Sequence, residues 1–257
     1  MPEPVERIED IPKLAEFLTG IGSRPFSLFV GSTISCAWPA HAPSVEDIVQ
    51  SLFDELVVAL DDTPILKDKV DAAMADPAVK QRRRAIPFES LWERVARVVG
   101  TETVADTLTR LCAGGEPNWN HRAIAWLVRK GYVRRIFTTN YDEFIEKALQ
   151  GPEARPGFSE LSPLDPMVLK ATVAAECPSR QAELIKLHGT LSKRSSMAFM
   201  FPQITAGVST DTESILRQFL REYPVLFAGY GCNDWDLRQL LRTPITWTLA
   251  SFEVVLC

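Results

Sequence analysis

The chain has no Cys-x-x-Cys pair. Its five cysteines, Cys36, Cys112, Cys177, Cys232 and Cys257, stand far apart and mostly in apolar segments. A structural zinc ribbon needs closely spaced thiolate pairs, so that element is excluded. An odd, scattered set does not build a disulfide framework either, and reduced thiols in a cytoplasmic protein are expected. No apolar run is long enough to span a bilayer. The acidic start, Met1-Pro2-Glu3-Pro4-Val5-Glu6, lacks the basic and apolar regions of a signal peptide. An excess of positive charge is also missing: the formal net charge is −5, which gives no global attraction to phosphate backbones. Neither nucleic acid nor membrane is an expected partner. Arg82-Arg83-Arg84 is a local exception and reads as a solvated face. There is no internal repeat and no low-complexity segment.

What is present is alternation. At 257 residues the chain suffices for one large α/β domain, or for one domain with a helical insertion. Apolar runs predict strands over 26–30, 133–137, 184–187, 197–201, 225–228 and 252–256. Helical spacing covers 11–19, a segment opened by Ser44 with Asp47 three residues on, a segment after Pro64 and another after Pro87. It continues over 101–111 and 118–129, where Gly131 supplies the stop, and over 141–149, 212–220 and 234–241. Residues 151–183 are rich in proline and read as loop, with a short helix near 166–175. The expected fold is α/β: a doubly wound, Rossmann-like parallel sheet with a helical insertion, residues 44–130, between the first two strands. The chain stops inside an apolar strand at Cys257, so residues 1–257 are expected to be the N-terminal part of a longer protein.

Four strand ends carry turns with chemical content. In order they are Phe29-Val30-Gly31-Ser32-Thr33-Ile34-Ser35, Thr138-Thr139-Asn140-Tyr141-Asp142, Lys186-Leu187-His188-Gly189 and Gly229-Tyr230-Gly231-Cys232-Asn233-Asp234. Open parallel sheets bind ligands at the carboxyl ends of their strands, so the four turns can converge on one crevice. Gly31 lets backbone approach a pyrophosphate, which exposed N–H groups then hold. Asn140 and Asp142 each suit a helix start. Asn140 also offers a neutral donor and acceptor in one group. His188 follows an apolar strand and precedes a glycine, which sets it in the crevice, and its near-neutral pKa suits a general base. Of the other two histidines, His41 has no such setting. His121, beside Trp119 on a predicted helix, reads as structural. Gly229 and Gly231 allow close backbone approach, and Asp234 reads as the cap of the next helix.

The ordered set resembles the SIR2-like family, in particular the bacterial NAD-consuming effector branch without a zinc ribbon. Phe88-Glu89-Ser90-Leu91 is similar to the helical-insert motif of that branch, and the four segments span residues 29–237. The resemblance implies an NAD+ glycohydrolase that releases nicotinamide and ADP-ribose without a metal. It assigns Gly31, Ser32, Thr33 and Ser35 to the pyrophosphate loop. Thr139, Asn140 and Asp142 go to the nicotinamide ribose. Gly229, Tyr230, Gly231 and Asp234 go to the adenosine side. Asn140 would orient ribose and water, and His188 would act as base. The branch also implies an anti-phage effector, homo-oligomeric and triggered by a fused C-terminal sensor or a partner protein. One departure stands out. The family pattern is Gly-Ala-Gly-x-Ser, and Thr33 brings a Cβ where glycine allows φ > 0. Weak NAD+ affinity, raised by Thr33→Gly, is the expectation. Two other functions share the pocket. One is an NAD- or ADP-ribose-binding module with weak or no catalysis, which the departure favours. The other is a protein deacylase or ADP-ribosyltransferase, which the missing ribbon disfavours.

Overall fold

Short apolar strands with helices between them pair in parallel, and the helices cover both faces of the sheet. The computed structural model describes residues 6–8, 19–20, 25–44, 47–52, 54, 88–112, 114–150, 158–161, 182–193, 197, 210–231 and 252–254. Among the described residues seven strands form one sheet: β1 (Glu6–Ile8), β2 (Phe26–Val30), β3 (Val133–Thr138), β4 (Phe158–Leu161), β5 (Ala182–Lys186), β6 (Val225–Ala228) and β7 (Phe252–Val254). Their order is β1-β7-β6-β2-β3-β5-β4, with parallel pairing throughout. From β2 the sheet extends through β3, β5 and β4 on one side, and through β6, β7 and β1 on the other. The switch point therefore lies between β2 and β6, where an open α/β sheet presents its binding crevice.

The described helices are α1 (Thr33–Cys36), α2 (Phe88–Val99), α3 (Thr101–Cys112), α4 (Trp119–Arg129), α5 (Phe144–Gln150) and α6 (Thr210–Glu222). Residues 47–52 are helical as well. Alternation along the strands sorts the core into two layers. Leu28, Val30, Ile136, Leu184 and Leu226 pack against Ile124 and Ala125 of α4 and Ile145 and Leu149 of α5. Phe29, Phe137, Ile185 and Phe227 pack against Leu216 and Leu220 of α6. Helices on both faces make the sheet doubly wound, as expected. No described helix is long and apolar enough to cross a membrane.

The helical block between β2 and β3 has its own core of Ile48, Leu52, Val95, Ala96, Val104, Ala105 and Leu108, joined by Met197 from the segment after β5. Its first helix opens as its sequence predicts: Ser44 Oγ donates to Asp47 Oδ2 at 2.7 Å and accepts from the Asp47 N–H at 3.2 Å. Tyr141 and Leu191, from the turns after β3 and β5, pack against this core. The block thus sits against the carboxyl ends of two strands.

Two strands escaped the apolar pattern. β1 is only three residues long, and β4 lies in the segment read as loop; both sit at sheet edges. The block consequently falls between the second and third strands. Met197 is not in a strand. Residues 198–201 of that expected strand lie outside the described residues. So do the expected helices over 11–18, after Pro64, near 166–175 and over 234–241, together with Arg82 to Arg84.

Candidate functional site

The turn after β2 meets the turn after β6 backbone to backbone. A Cβ on Gly31 would stand 2.4 Å from Gly229 O and 2.6 Å from Tyr230 Cα. Gly229 has φ +60, and a Cβ there would meet Ile34 at 2.8 Å. Both glycines are required by this contact between loops. Ser32 and Thr33 need no such freedom. Ser32 is right-handed helical (φ −61, ψ −27) and Thr33 begins α1. The backbone strain expected at Thr33 does not arise. The Thr33 N–H donates to Gly229 O at 3.3 Å, that of Ile34 to Gly31 O at 3.4 Å, and that of Ser35 to Ser32 O at 2.9 Å. These N–H groups are engaged within the protein rather than free for an anion. The Tyr230 ring is buried 4.5 Å from Phe29 in the α6-side core, so it supports the loop from beneath.

Asn140 stands beyond the end of β3 and is 5 % exposed. Its Nδ2 donates to Gly31 O at 3.3 Å, Ser35 Oγ at 3.3 Å and Asp142 Oδ2 at 3.4 Å. Three acceptors on one side fix which way the amide faces. The Oδ1 atom is left buried, with no hydrogen-bond partner among the described residues. Asp142 stands at the start of α5 and holds both the Asn140 amide and that helix start. One oxygen takes the Asn140 amide; the other accepts the Phe144 N–H at 3.2 Å at the start of α5. Asn140 does not cap that helix; its side chain bonds the β2 turn and Asp142 instead.

Ser35, which accepts from the Asn140 amide, is also held by His121, the histidine read as structural. His121 is fully buried in the first turn of α4. Its Nδ1 accepts the Asn118 N–H at 3.1 Å. In the neutral ring Nε2 therefore carries the hydrogen and donates to Ser35 Oγ at 3.0 Å. Burial lowers its pKa to about 4, against a smaller opposing pull from Asp142, so the ring is neutral at pH 7. Ser35 Oγ thus receives hydrogen bonds from His121 and Asn140. The Asn118-x-x-His121 spacing carried the signal: it is a capping box in which the third-position side chain is histidine. Asn118 Nδ2 also donates to Ile34 O at 2.7 Å, tying α4 to α1.

His188 stands two residues past Lys186, and Lys186 is in register with Thr138. Asn140 and His188 accordingly occupy equivalent places at neighbouring strand ends. His188 is 5 % exposed, and its ring centroid lies 6.2 Å from that of Tyr141. The Leu187 N–H donates to Thr138 O at 2.8 Å and the Leu191 N–H to Tyr141 O at 3.1 Å, so the two turns are laced together. Thr139 and Ser32 are half-buried; Thr33 and Gly231 are exposed. Asp234 lies outside the described residues. Burial pushes the Cys36 and Cys112 thiols up, Cys112 to about 12, which leaves them protonated and poor nucleophiles. Among the described residues no cluster of three or more His, Cys, Asp or Glu could hold a metal ion.

Comparison with known proteins bears on this arrangement. The family model for the SIR2-like domain matches residues 134–246. That stretch holds Asn140, Asp142, His188 and Gly229 to Gly231, and leaves the β2 turn and His121 outside. No curated protein matches the chain significantly.

Proposed function

We propose, for a chain that carries a SIR2-like domain, that the crevice at the ends of β2, β3, β5 and β6 binds NAD+ and hydrolyses its nicotinamide–ribose bond. The observation that carries this is Asn140 Oδ1. A buried acceptor without a partner costs about 1–3 kcal/mol. A ribose hydroxyl or a water would satisfy it, in a site whose amide is already oriented. The C1′–nitrogen bond breaks, its electron pair leaves with nicotinamide, and positive charge develops on the ribose. Water then attacks C1′ and gives up a proton to His188, leaving ADP-ribose. The resemblance to defence effectors extends the proposal to a role in depleting NAD+ in the cytoplasm, triggered through a fused sensor or a partner. Chromatography of NAD+ incubated with the protein should show nicotinamide and ADP-ribose in equal amounts. Turnover that survives in Asn140→Ala would overturn the assignment.

One observation favours a second function, NAD or ADP-ribose binding with little catalysis. The Thr33, Ile34 and Ser35 N–H groups are already used, which leaves a pyrophosphate fewer donors than a free loop offers. Calorimetric binding of ADP-ribose without any release of nicotinamide would select it.

A further inference from the structure

We propose that Lys186 is a positioning residue whose buried ammonium sets the Asn140–Asp142 turn against the His188 turn. The function proposed above enters only in what those turns act upon. Lys186 ends β5 and is 1 % exposed. Strand alternation puts its side chain on the face of Leu184, toward α5 rather than into the crevice. Its Nζ donates to Asp142 O at 2.5 Å, to Glu146 Oε1 at 2.6 Å and to Thr190 Oγ1 at 3.1 Å; Tyr141 O is further off at 3.5 Å. An ammonium has three hydrogens and no acceptor. All three are committed, so Lys186 is neither a base nor a ligand contact.

The three partners belong to three different elements. Asp142 is in the turn after β3, Glu146 is on α5, and Thr190 is in the turn after β5. Thr190 Oγ1 in turn donates to Glu143 Oε1 at 2.9 Å, which also accepts the Ser192 N–H at 3.2 Å. One cation thus fastens both candidate catalytic turns to the same helix. A buried Lys–Glu pair is a poor device for stability, since well-packed apolar residues of similar size serve as well or better. What apolar residues cannot supply is a set of directed bonds to a particular carbonyl and hydroxyl. Those bonds hold the backbone two residues from Asn140 and the side chain two residues from His188.

The test uses the full chain with both charges removed together, as Lys186→Met with Glu146→Leu. Lys186→Met alone leaves Glu146 buried without its cation and is expected to melt at a lower temperature. The double variant should stay folded and melt at or above the wild-type temperature. Amide exchange at Leu191 and Phe144, which report the two turns, should quicken by about tenfold, while Leu28 and Phe29 in β2 stay as protected as before. Turnover of NAD+ should fall by about 10², as small misplacements do, with KM little changed. A folded double variant with unchanged exchange at Leu191 and Phe144 overturns the proposal, whatever its activity. A double variant that does not fold also overturns it, because the pair would then serve stability. If exchange shifts as expected and the wild type releases no nicotinamide, the role of Lys186 stands and the hydrolase function fails.

Discussion

His121 shows how burial decides what a histidine does. Its ring is sealed from water and held in one tautomer by the Asn118 N–H, so it works as a fixed donor to Ser35. Its folded pKa of about 4 lies below the ordinary 6.5. Between those values the unfolded chain binds one more proton than the folded chain. Stability should therefore fall as pH drops from about 6.5 toward about 4, by up to about 3 kcal/mol, with no contribution from this group above that window. Urea titrations at pH 7 and pH 5 check this: His121→Leu should be less stable at pH 7 yet lose less on acidification. An equal acid loss in both proteins would assign the effect to other groups. His188 is placed differently, at a strand end and against Tyr141. His188→Ala and Asn140→Ala should each remain folded and lose about 10²–10⁴ in NAD+ turnover, the usual cost of a missing positioned group. Near-normal rates in both would remove these two residues from the mechanism.

At the scale of elements, the β2 and β6 turns form one unit. Gly31→Ala places a Cβ against immobile backbone at 2.4 Å. It should cost about 1–3 kcal/mol, readable as a lower denaturation midpoint with unchanged slope. Thr33→Gly was expected to tighten NAD+ binding. Because residues 32 and 33 are helical, it should instead lower stability slightly, by about 0.3 kcal/mol, and leave affinity as it was. Calorimetry showing at least a tenfold gain in affinity would restore the first expectation. This contrast marks where the sequence could be read. β2, β3 and β6 were legible because their apolar runs are bounded by clear turn residues. β5 was read two residues short, since Glu183 looks polar until Arg135 on the neighbouring strand is seen to pair with it. β1 and β4 carry too few apolar residues to stand out, and their pairing depends on strands far away in the chain. The four turns were legible as strand ends, but their contacts were not. That Asn140 bonds the β2 turn while Asp142 caps α5, and that His121 reaches Ser35 across 86 positions, are consequences of packing.

For the molecule as a whole, the question is what holds the site in its working form. The helical block shares its core with Tyr141 and Leu191, which lie on the turns bearing Asn140 and His188. A shift of that block must therefore be felt at both turns. An unregulated enzyme that destroys NAD+ would harm its own cell, so the proposed activity calls for a resting state. We expect association, through a homo-oligomer or a partner, to select the block position in which the turns are ordered. If about 1 % of the resting protein is competent, assembly raises activity by about 10². Turnover should then rise with protein concentration in step with oligomer formation. Leu108→Ala, which removes a fully buried side chain of the block, should destabilise the protein by about 2–5 kcal/mol and weaken the rise as well. The decisive measurement is turnover per chain across a dilution series, with mass followed by light scattering. A dilute, strictly monomeric chain working at the full rate would show that association does not gate the site, and that any control over NAD+ lies elsewhere.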